Sequence, residues 1–424
     1  MAGQVHVIGA GLAGLSAAVD LAEAGWRVTV HEAAKFAGGR CRSFYDSTIG
    51  LVVDNGSHLL LSGNRCAMDY LERTGGLSAM SGTEHAEIPF ADLATGERWT
   101  LRPNSSRVPW WIFDTKRRVP GSRARDYLAP VNLLRALPSA GRIGDVMDVK
   151  APLYHRLWRP VLLAALNTEP SEADARMATQ VFWETFGAGG KACRPLIALS
   201  GLSSAFVDPA LAHLARLGTE FRYAHVLRGL SIEDGRVAGL EFGEDRIALA
   251  PDDRVIMAVP AVVARAFVPG VTVPEKSHAI ISVHFRIAPP PGQPMFLGVV
   301  NGITEWLFAY RDHLSVTISH ADRLLDHPRQ ALAERVWAEV SALTGLAAEL
   351  PAWQINRERR ATFAATPTEA AKRPGVRTGL ENLFLAGDWT ATGLPASMEG
   401  AVRSGYAAAT AVRSAEQRPT SRAA

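Results

Sequence analysis

The sequence predicts an α/β fold of two interlocked domains, and three observations carry that expectation. At 424 residues the chain is too long for one small core. It opens on a strand, a glycine turn, a helix and a second strand, and near its other end a buried strand-like run, Asn382 to Leu385, leads into Gly387-Asp388.

The opening unit is read in order. Gln4 to Ile8 has the pattern of a short buried strand and is followed at once by Gly9-Ala10-Gly11-Leu12-Ala13-Gly14. Leu15 to Ala24 then has helical spacing, Gly25 ends it, and Arg27 to His31 is a second strand closing on Glu32. Gly9 permits the tight turn, Gly11 lets backbone N–H groups approach a pyrophosphate, and Gly14, with Ala13 beside it, lets helix and strand pack closely. Phosphates suit the helix N-terminus, where unpaired N–H groups and the helix dipole favour negative charge. A carboxylate at Glu32 accepts hydrogen bonds from a ribose 2′-OH. Together these features make a Rossmann-like dinucleotide site.

Composition excludes several classes. Hydrophobic residues are 47% and charged residues 21%, as in ordinary globular chains. The net charge of +3 gives no electrostatic case for nucleic acid as a partner. Cys41, Cys66 and Cys193 are far apart and the 12 histidines lack metal-site spacing, so neither a disulfide framework nor a metal is expected. No apolar run approaches the ~18–20 residues of a spanning helix, which predicts a cytoplasmic or peripheral protein.

The residues after Glu32 separate one dinucleotide from another. Glu32, five residues, then Gly38-Gly39-Arg40 resembles the flavin segment of the amine oxidase and phytoene desaturase flavoprotein superfamily. The resemblance implies FAD, with Gly39 and Arg40 along the pyrophosphate and ribityl chain. Gly387-Asp388 resembles the family's C-terminal flavin motif, in which the Asp takes a ribityl hydroxyl. The helix starting near Met398 and Glu399, with Ser397 as N-cap, would point its N-terminus at the pyrimidine edge of the isoalloxazine. No cysteine precedes that helix, so binding is expected to be non-covalent.

Mid-chain, Glu220 to Val226, Leu230 to Glu233 and Arg236 to Phe242 are strand-like, with Asp234-Gly235 as a hairpin signal. Arg254 to Pro260 resembles the strand that returns the chain to the flavin domain. Val226 would lie against the adenine; an ordinary core role fits it equally. The resemblance thus implies a Rossmann-like FAD-binding domain of the amine oxidase type (residues 1–80, 200–275 and 380–415). Interleaved with it is an α+β substrate domain (81–199 and 276–379). A Ser/Arg/Ala-rich tail, 416–424, is expected to be disordered. No second GxGxxG with strand context occurs, so no NAD(P)H domain is expected, and the electron donor stays unnamed.

Asp54-Asn55-Gly56-Ser57-His58-Leu59-Leu60-Leu61-Ser62-Gly63-Asn64 is the most distinctive stretch. Its wording resembles the hydroxysqualene dehydroxylase subfamily, as do Trp158-Arg159-Pro160, Ala164 to Thr168, and Gly201-Leu202-Ser203 with Asp208-Pro209-Ala210. The resemblance implies a hydrophobic isoprenoid substrate, hydroxysqualene, reduced to squalene by hydride from reduced flavin. Gly56 would pass beside the flavin ring. His58 is the candidate proton donor or hydroxyl-orienting group, and Asp54 would orient it or stabilise positive charge. Both also have bland readings, a turn-holding Asp54 and a His58 bonded to backbone or flavin. Glu184, Trp306 and Tyr310 are candidate channel residues. The rival readings are a polyene desaturase, a flavin amine oxidase and a flavin carrier without turnover.

Val108 to Phe113 places two tryptophans and a phenylalanine beside Lys116, Arg117, Arg118, Arg123 and Arg125, and an apolar stretch runs on from Tyr127 to Leu137. That combination suits peripheral contact with a membrane surface through the Trp110–Arg125 region. A buried Trp-Trp pair beside a solvated basic loop is the alternative.

Overall fold

The computed structural model describes residues 3–135 and 141–416. The predicted tail beyond Glu416, and the end of the apolar stretch that runs to Leu137, fall outside these residues.

Five strands form a parallel sheet in the order Glu220–Arg222, Arg27–His31, Gln4–Ile8, Arg254–Met257, Leu383–Leu385. Three of them are almost wholly buried runs of branched residues, as a sheet covered on both faces requires. The register aligns their ends: Ile8 lies opposite both His31 and Met257, His31 opposite Arg222, and Met257 opposite Leu385. The residues that follow, Gly9, Glu32, Tyr223, Ala258 and Ala386, therefore gather at one edge of the sheet. This carboxyl edge is where open parallel sheets bind ligands.

The first helix, Leu12–Glu23, starts three residues earlier than its apolar spacing suggests, because the last residues of the glycine turn are already helical. The C-terminal helix, Met398–Glu416, lies against it, with the Ser16 hydroxyl donating to the Val402 carbonyl at 3.3 Å. The strand expected to reach Val226 stops at Arg222, because Ala224 turns the chain at φ 53°. The run expected to reach Pro260 leaves the sheet after Met257. Asp234 and Gly235, at φ 47° and 77°, make the tight turn between Gly229–Glu233 and Arg236–Phe242.

A second, seven-stranded sheet is ordered Trp353–Phe363, Ser277–Phe285, Leu314–Ile318, Trp306–Ala309, Phe296–Val300, Ile88–Asp92, Arg98–Leu101. It is antiparallel except where Phe296–Val300 meets Ile88–Asp92. Helix Arg329–Thr344 covers one face, and its buried Trp337 packs 5.0 Å from Phe285. Strands from residues 88–101 and 277–363 thus share one sheet. Helices Arg159–Leu166 and Ala175–Glu184 lie in the segment between these two sets of strands.

Candidate cofactor cradle and active site

The first helix has no side-chain cap at its N-terminus. Its first amides are left for an outside acceptor, an arrangement suited to phosphate. Gly14 is there for contact: a Cβ would sit 1.9 Å from the Gly9 carbonyl oxygen. Gly11 is different, since a Cβ there would meet nothing within 4 Å. Inside the protein that position needs no glycine, and the space in front of it leaves room for a ligand. Gly38 and Gly39 close the far side through the Gly38 amide, which donates to the Ala10 carbonyl at 2.8 Å.

Glu32 is held at the sheet edge by its own carboxylate, which accepts from the Ala10 amide at 2.7 Å and the Ala34 amide at 2.8 Å. Val226 follows His225, whose amide donates to the Glu32 carbonyl at 2.9 Å. The two residues assigned to the nucleoside end are therefore neighbours, and Val226 is 37% exposed, so the ordinary core role does not hold.

Arg40 and Asp388, both expected along the ribityl chain but from motifs far apart in sequence, are brought together: Arg40 Nη2 lies 2.8 Å from both Asp388 oxygens. The neighbouring carboxylate holds the guanidinium firmly charged. Arg373 was not singled out in the sequence. It donates to the Asp388, Trp389 and Thr390 carbonyls and to the Thr392 hydroxyl, lacing the Gly387-Asp388 turn. Burial lowers its pKa to about 10. No spacing rule would have found it, because a buttress reads as one more loop arginine.

Ser397 caps the C-terminal helix as expected, its hydroxyl accepting from the Gly400 amide at 3.1 Å. Met398 is part-buried at its start. The buried Glu399 carboxylate accepts from the Cys66 and Ala67 amides at 3.1 and 2.8 Å and pairs with Arg403. It thus serves as the N-terminal cap of helix Arg65–Thr74, and only its backbone remains for a cofactor. Glu184 pairs with the same Arg403 at 2.6 Å.

Asp54 is buried, and one of its oxygens accepts the Ser43 hydroxyl at 2.6 Å and the Leu202 amide at 2.8 Å. Ser203 and Ser43 bond each other in return, so the Asp54 segment and the Gly201-Leu202-Ser203 segment form one interlocked turn. Gly201, at φ 94°, leaves room for it, since a Cβ would lie 2.5 Å from the Ser43 hydroxyl. Burial raises the Asp54 pKa to about 6, against hydrogen bonds from Ser43, Leu202 and the Tyr310 hydroxyl. Ser57, beside Gly56, bonds Ser315 at 2.8 Å, tying this loop to the second sheet.

His58 Nδ1 lies 2.6 Å from the Gly56 carbonyl oxygen, so this nitrogen carries the proton and donates. Burial lowers the ring's pKa, with the Arg40 charge adding to the effect. The ring is therefore neutral near pH 7, with Nε2 an acceptor. Its side chain keeps accessible surface, as the Arg40 side chain does at 48%.

Tyr310 is buried against Asp54 and stacks on His313 at 4.4 Å. Trp306 is buried among Phe90 and Phe296, in the core of the second sheet. His284 and Asn356, behind Asp54, went unnoticed in the sequence because they join it only through strand register. The three cysteines are free thiols whose pKa values burial pushes up, Cys66 to about 11. One trio does have metal-ligand character, contrary to the histidine spacing: His278, His320 and Asp322 offer atoms within 4.8 Å of one another. Asp322 there already accepts from His278 at 2.9 Å and from the Ala279 amide, clamping a strand end.

Among the described residues, no helix is long and apolar enough to cross a membrane. The flavin containing amine oxidoreductase family matches residues 12–413. The hydroxysqualene dehydroxylase of Rhodopseudomonas palustris is 52% identical over 416 residues, 98% of this chain and 99% of its own. That of Sinorhizobium fredii is 50% identical over 405 residues, 96% and 97% of the two chains. The solved cyclohexylamine oxidase of Brevibacterium oxydans shares the fold, with a TM-score of 0.68 at 18% identity over 98% of this chain and 100% of that one. The chain is a flavin-dependent oxidoreductase and belongs to the hydroxysqualene dehydroxylase family within the flavin containing amine oxidoreductases.

Proposed function

We propose that the chain binds FAD non-covalently and reduces hydroxysqualene to squalene with loss of water. The observation that carries this reading is the near-full-length identity with hydroxysqualene dehydroxylases. The desaturase reading has weaker support, a zeta-carotene desaturase of Synechocystis at 24% identity. The cofactor would be held by Gly9, Gly11, Ala13 and Gly14 at the pyrophosphate and by Glu32 and Val226 at the adenosine. Gly39, Arg40, Gly387 and Asp388 would follow the ribityl chain, and Gly56, Met398 and the Glu399 backbone the ring. The uncapped helix and the open space at Gly11 support that fit. Residues 1–80, 200–275 and 380–415 would form its domain, and 81–199 with 276–379 the substrate domain.

Bound in reduced form, FAD supplies a hydride. The chain's own residues must do the rest. The substrate hydroxyl is allylic, so protonating it lets the C–O bond break as water leaves and spreads positive charge over the alkene. The product's C–H bond would form with the hydride that bound reduced flavin supplies. Neutral His58 accepts the hydroxyl's hydrogen bond at Nε2 and orients it. As an acid it would first have to gain a proton, which its burial opposes. Asp54, with a pKa of about 6 and Tyr310 beside it, is the local group able to hold a proton near neutral pH and to offset the positive charge.

The test is product analysis with purified enzyme, reductant and hydroxysqualene, set beside phytoene and simple amines. Squalene from the first alone is expected; a desaturated polyene or peroxide from amines would overturn the reading. His58→Gln is expected to keep FAD and lose at least ~10-fold in turnover, less than the ~10²–10⁴-fold of a proton-transferring group because His58 orients the hydroxyl. Near-normal turnover would remove His58 from the chemistry.

A further inference from the structure

The segment between Arg107 and Leu134 places large apolar side chains in water, where a monomeric protein ordinarily hides them. Val108 is 70% exposed, Phe113 75%, Leu128 55% and Trp110 49%, while Val131 and Leu134 are exposed on the next helix, Ala129–Arg135. These are not loose ends. Trp111 and Ile112, between the exposed Trp110 and Phe113, are buried, and Trp111 packs edge-on to Tyr127 at 5.0 Å. The Tyr127 hydroxyl accepts from the Val119 amide at 2.7 Å. Both exposed runs therefore rise from one packed base, so their exposure is built in.

Charge identifies what covers them. Arg107, Lys116, Arg123 and Arg125 are exposed around the apolar groups, and Arg117 lies over the Trp110 ring at 4.9 Å. Asp114 and Asp126 offset only part of that charge. A second copy of this chain meeting the patch by a two-fold axis would set one basic rim against another. An anionic headgroup layer neutralises the rim and accepts the aromatic and aliphatic groups below it.

The patch also leads inward. From Trp111 and Tyr127 a seam of aromatic rings continues to Trp158 at 6.2 Å, Phe182 at 5.8 Å and Phe186 at 5.5 Å. Phe182 belongs to helix Ala175–Glu184, whose last residue pairs with Arg403 in the first turns of the C-terminal helix. The seam thus joins the exposed face to the helix that pairs with the C-terminal helix.

We propose that this face seats the enzyme on an anionic lipid bilayer, where a water-insoluble substrate is within reach. The second half rests on the hydroxysqualene reading; the first does not. The test uses the holoenzyme and phosphatidylcholine vesicles with and without phosphatidylglycerol, read by co-sedimentation without substrate. The wild type is expected to bind only the anionic vesicles and to be released by salt. Trp110→Ser with Phe113→Ser should bind at least ~10-fold more weakly, as lost interfacial anchors would require. The same variant should turn over detergent-solubilised substrate within about twofold of wild type, its exposed side chains lying outside the chemistry. No anionic vesicle binding by the wild type, or equal binding by the variant, would overturn the proposal. So would a wild-type dimer by light scattering that the variant abolishes. Vesicle binding with no squalene from the detergent assay would instead overturn the substrate reading.

Discussion

Arg40 Nη2 sits 2.8 Å from both carboxylate oxygens of Asp388, joining the Gly38-Gly39-Arg40 turn to the Gly387-Asp388 turn. The pair closes the cradle between two segments that meet only in the fold. Removing the cation leaves a buried carboxylate unpaired, a larger loss than the pair's own net worth. Arg40→Gln is therefore expected to lower both flavin content and melting temperature. Arg40→Lys should not restore flavin affinity, because Arg40 also donates to the Ala361 carbonyl and one ammonium lacks the planar spread for both contacts. Flavin absorbance per protein, with a thermal melt, checks both.

Gly11 and Gly14 separate folding from binding. At Gly14 an added methyl group meets the Gly9 carbonyl oxygen, so Gly14→Ala should destabilise the fold by several kcal/mol or prevent it. Gly11→Ala has free space within the protein and should melt within a few degrees of wild type. Its flavin affinity should fall at least ~10-fold if pyrophosphate passes there. Full flavin content in Gly11→Ala would contradict the cradle.

Glu399 predicts a stability effect where a cofactor contact was expected. Its carboxylate ends helix Arg65–Thr74 and balances Arg403. Glu399→Ala should cost about 2–4 kcal/mol in denaturant unfolding, from a lost cap and a broken buried pair. Glu399→Gln, keeping an acceptor, should cost less than half of that.

Asp54 makes stability depend on pH in a definite direction. Its folded pKa of about 6 lies above the ordinary 3.8, so the fold binds this proton more tightly than the unfolded chain does. Stability should therefore rise as pH falls from above 6 toward 4, and the cost of the buried charge should be complete above 6. That contribution is about 3 kcal/mol at most. Asp54→Asn keeps an acceptor for Ser43 and Leu202, and should flatten the profile over that window. Urea titrations at several pH values measure it; a variant with an unchanged pH slope would assign the slope to other groups.

Legibility followed sequence distance. The opening strand–turn–helix–strand unit was readable because its glycines, apolar alternation and Glu32 act on near neighbours. Gly387-Asp388 and Gly38-Gly39-Arg40 were readable as motifs, but not that Arg40 and Asp388 would face each other. The Asp54 and Gly201 stretches looked like separate words, and the structure joins them through Ser43 and Ser203. Arg373, His284 and Asn356 left no signal, because their placement depends on strand register and loop packing. The strand expected to reach Val226 ran long because nothing in the sequence marks Ala224 as left-handed.

The central claim is that hydride leaves the flavin for the substrate, and one anaerobic experiment tests it most directly. The holoenzyme is reduced, hydroxysqualene is added in detergent, and flavin absorbance is followed while squalene is quantified. The account predicts flavin reoxidation matched mole for mole by squalene. A flavin that stays reduced, while the oxidised enzyme turns over a polyene, would contradict it.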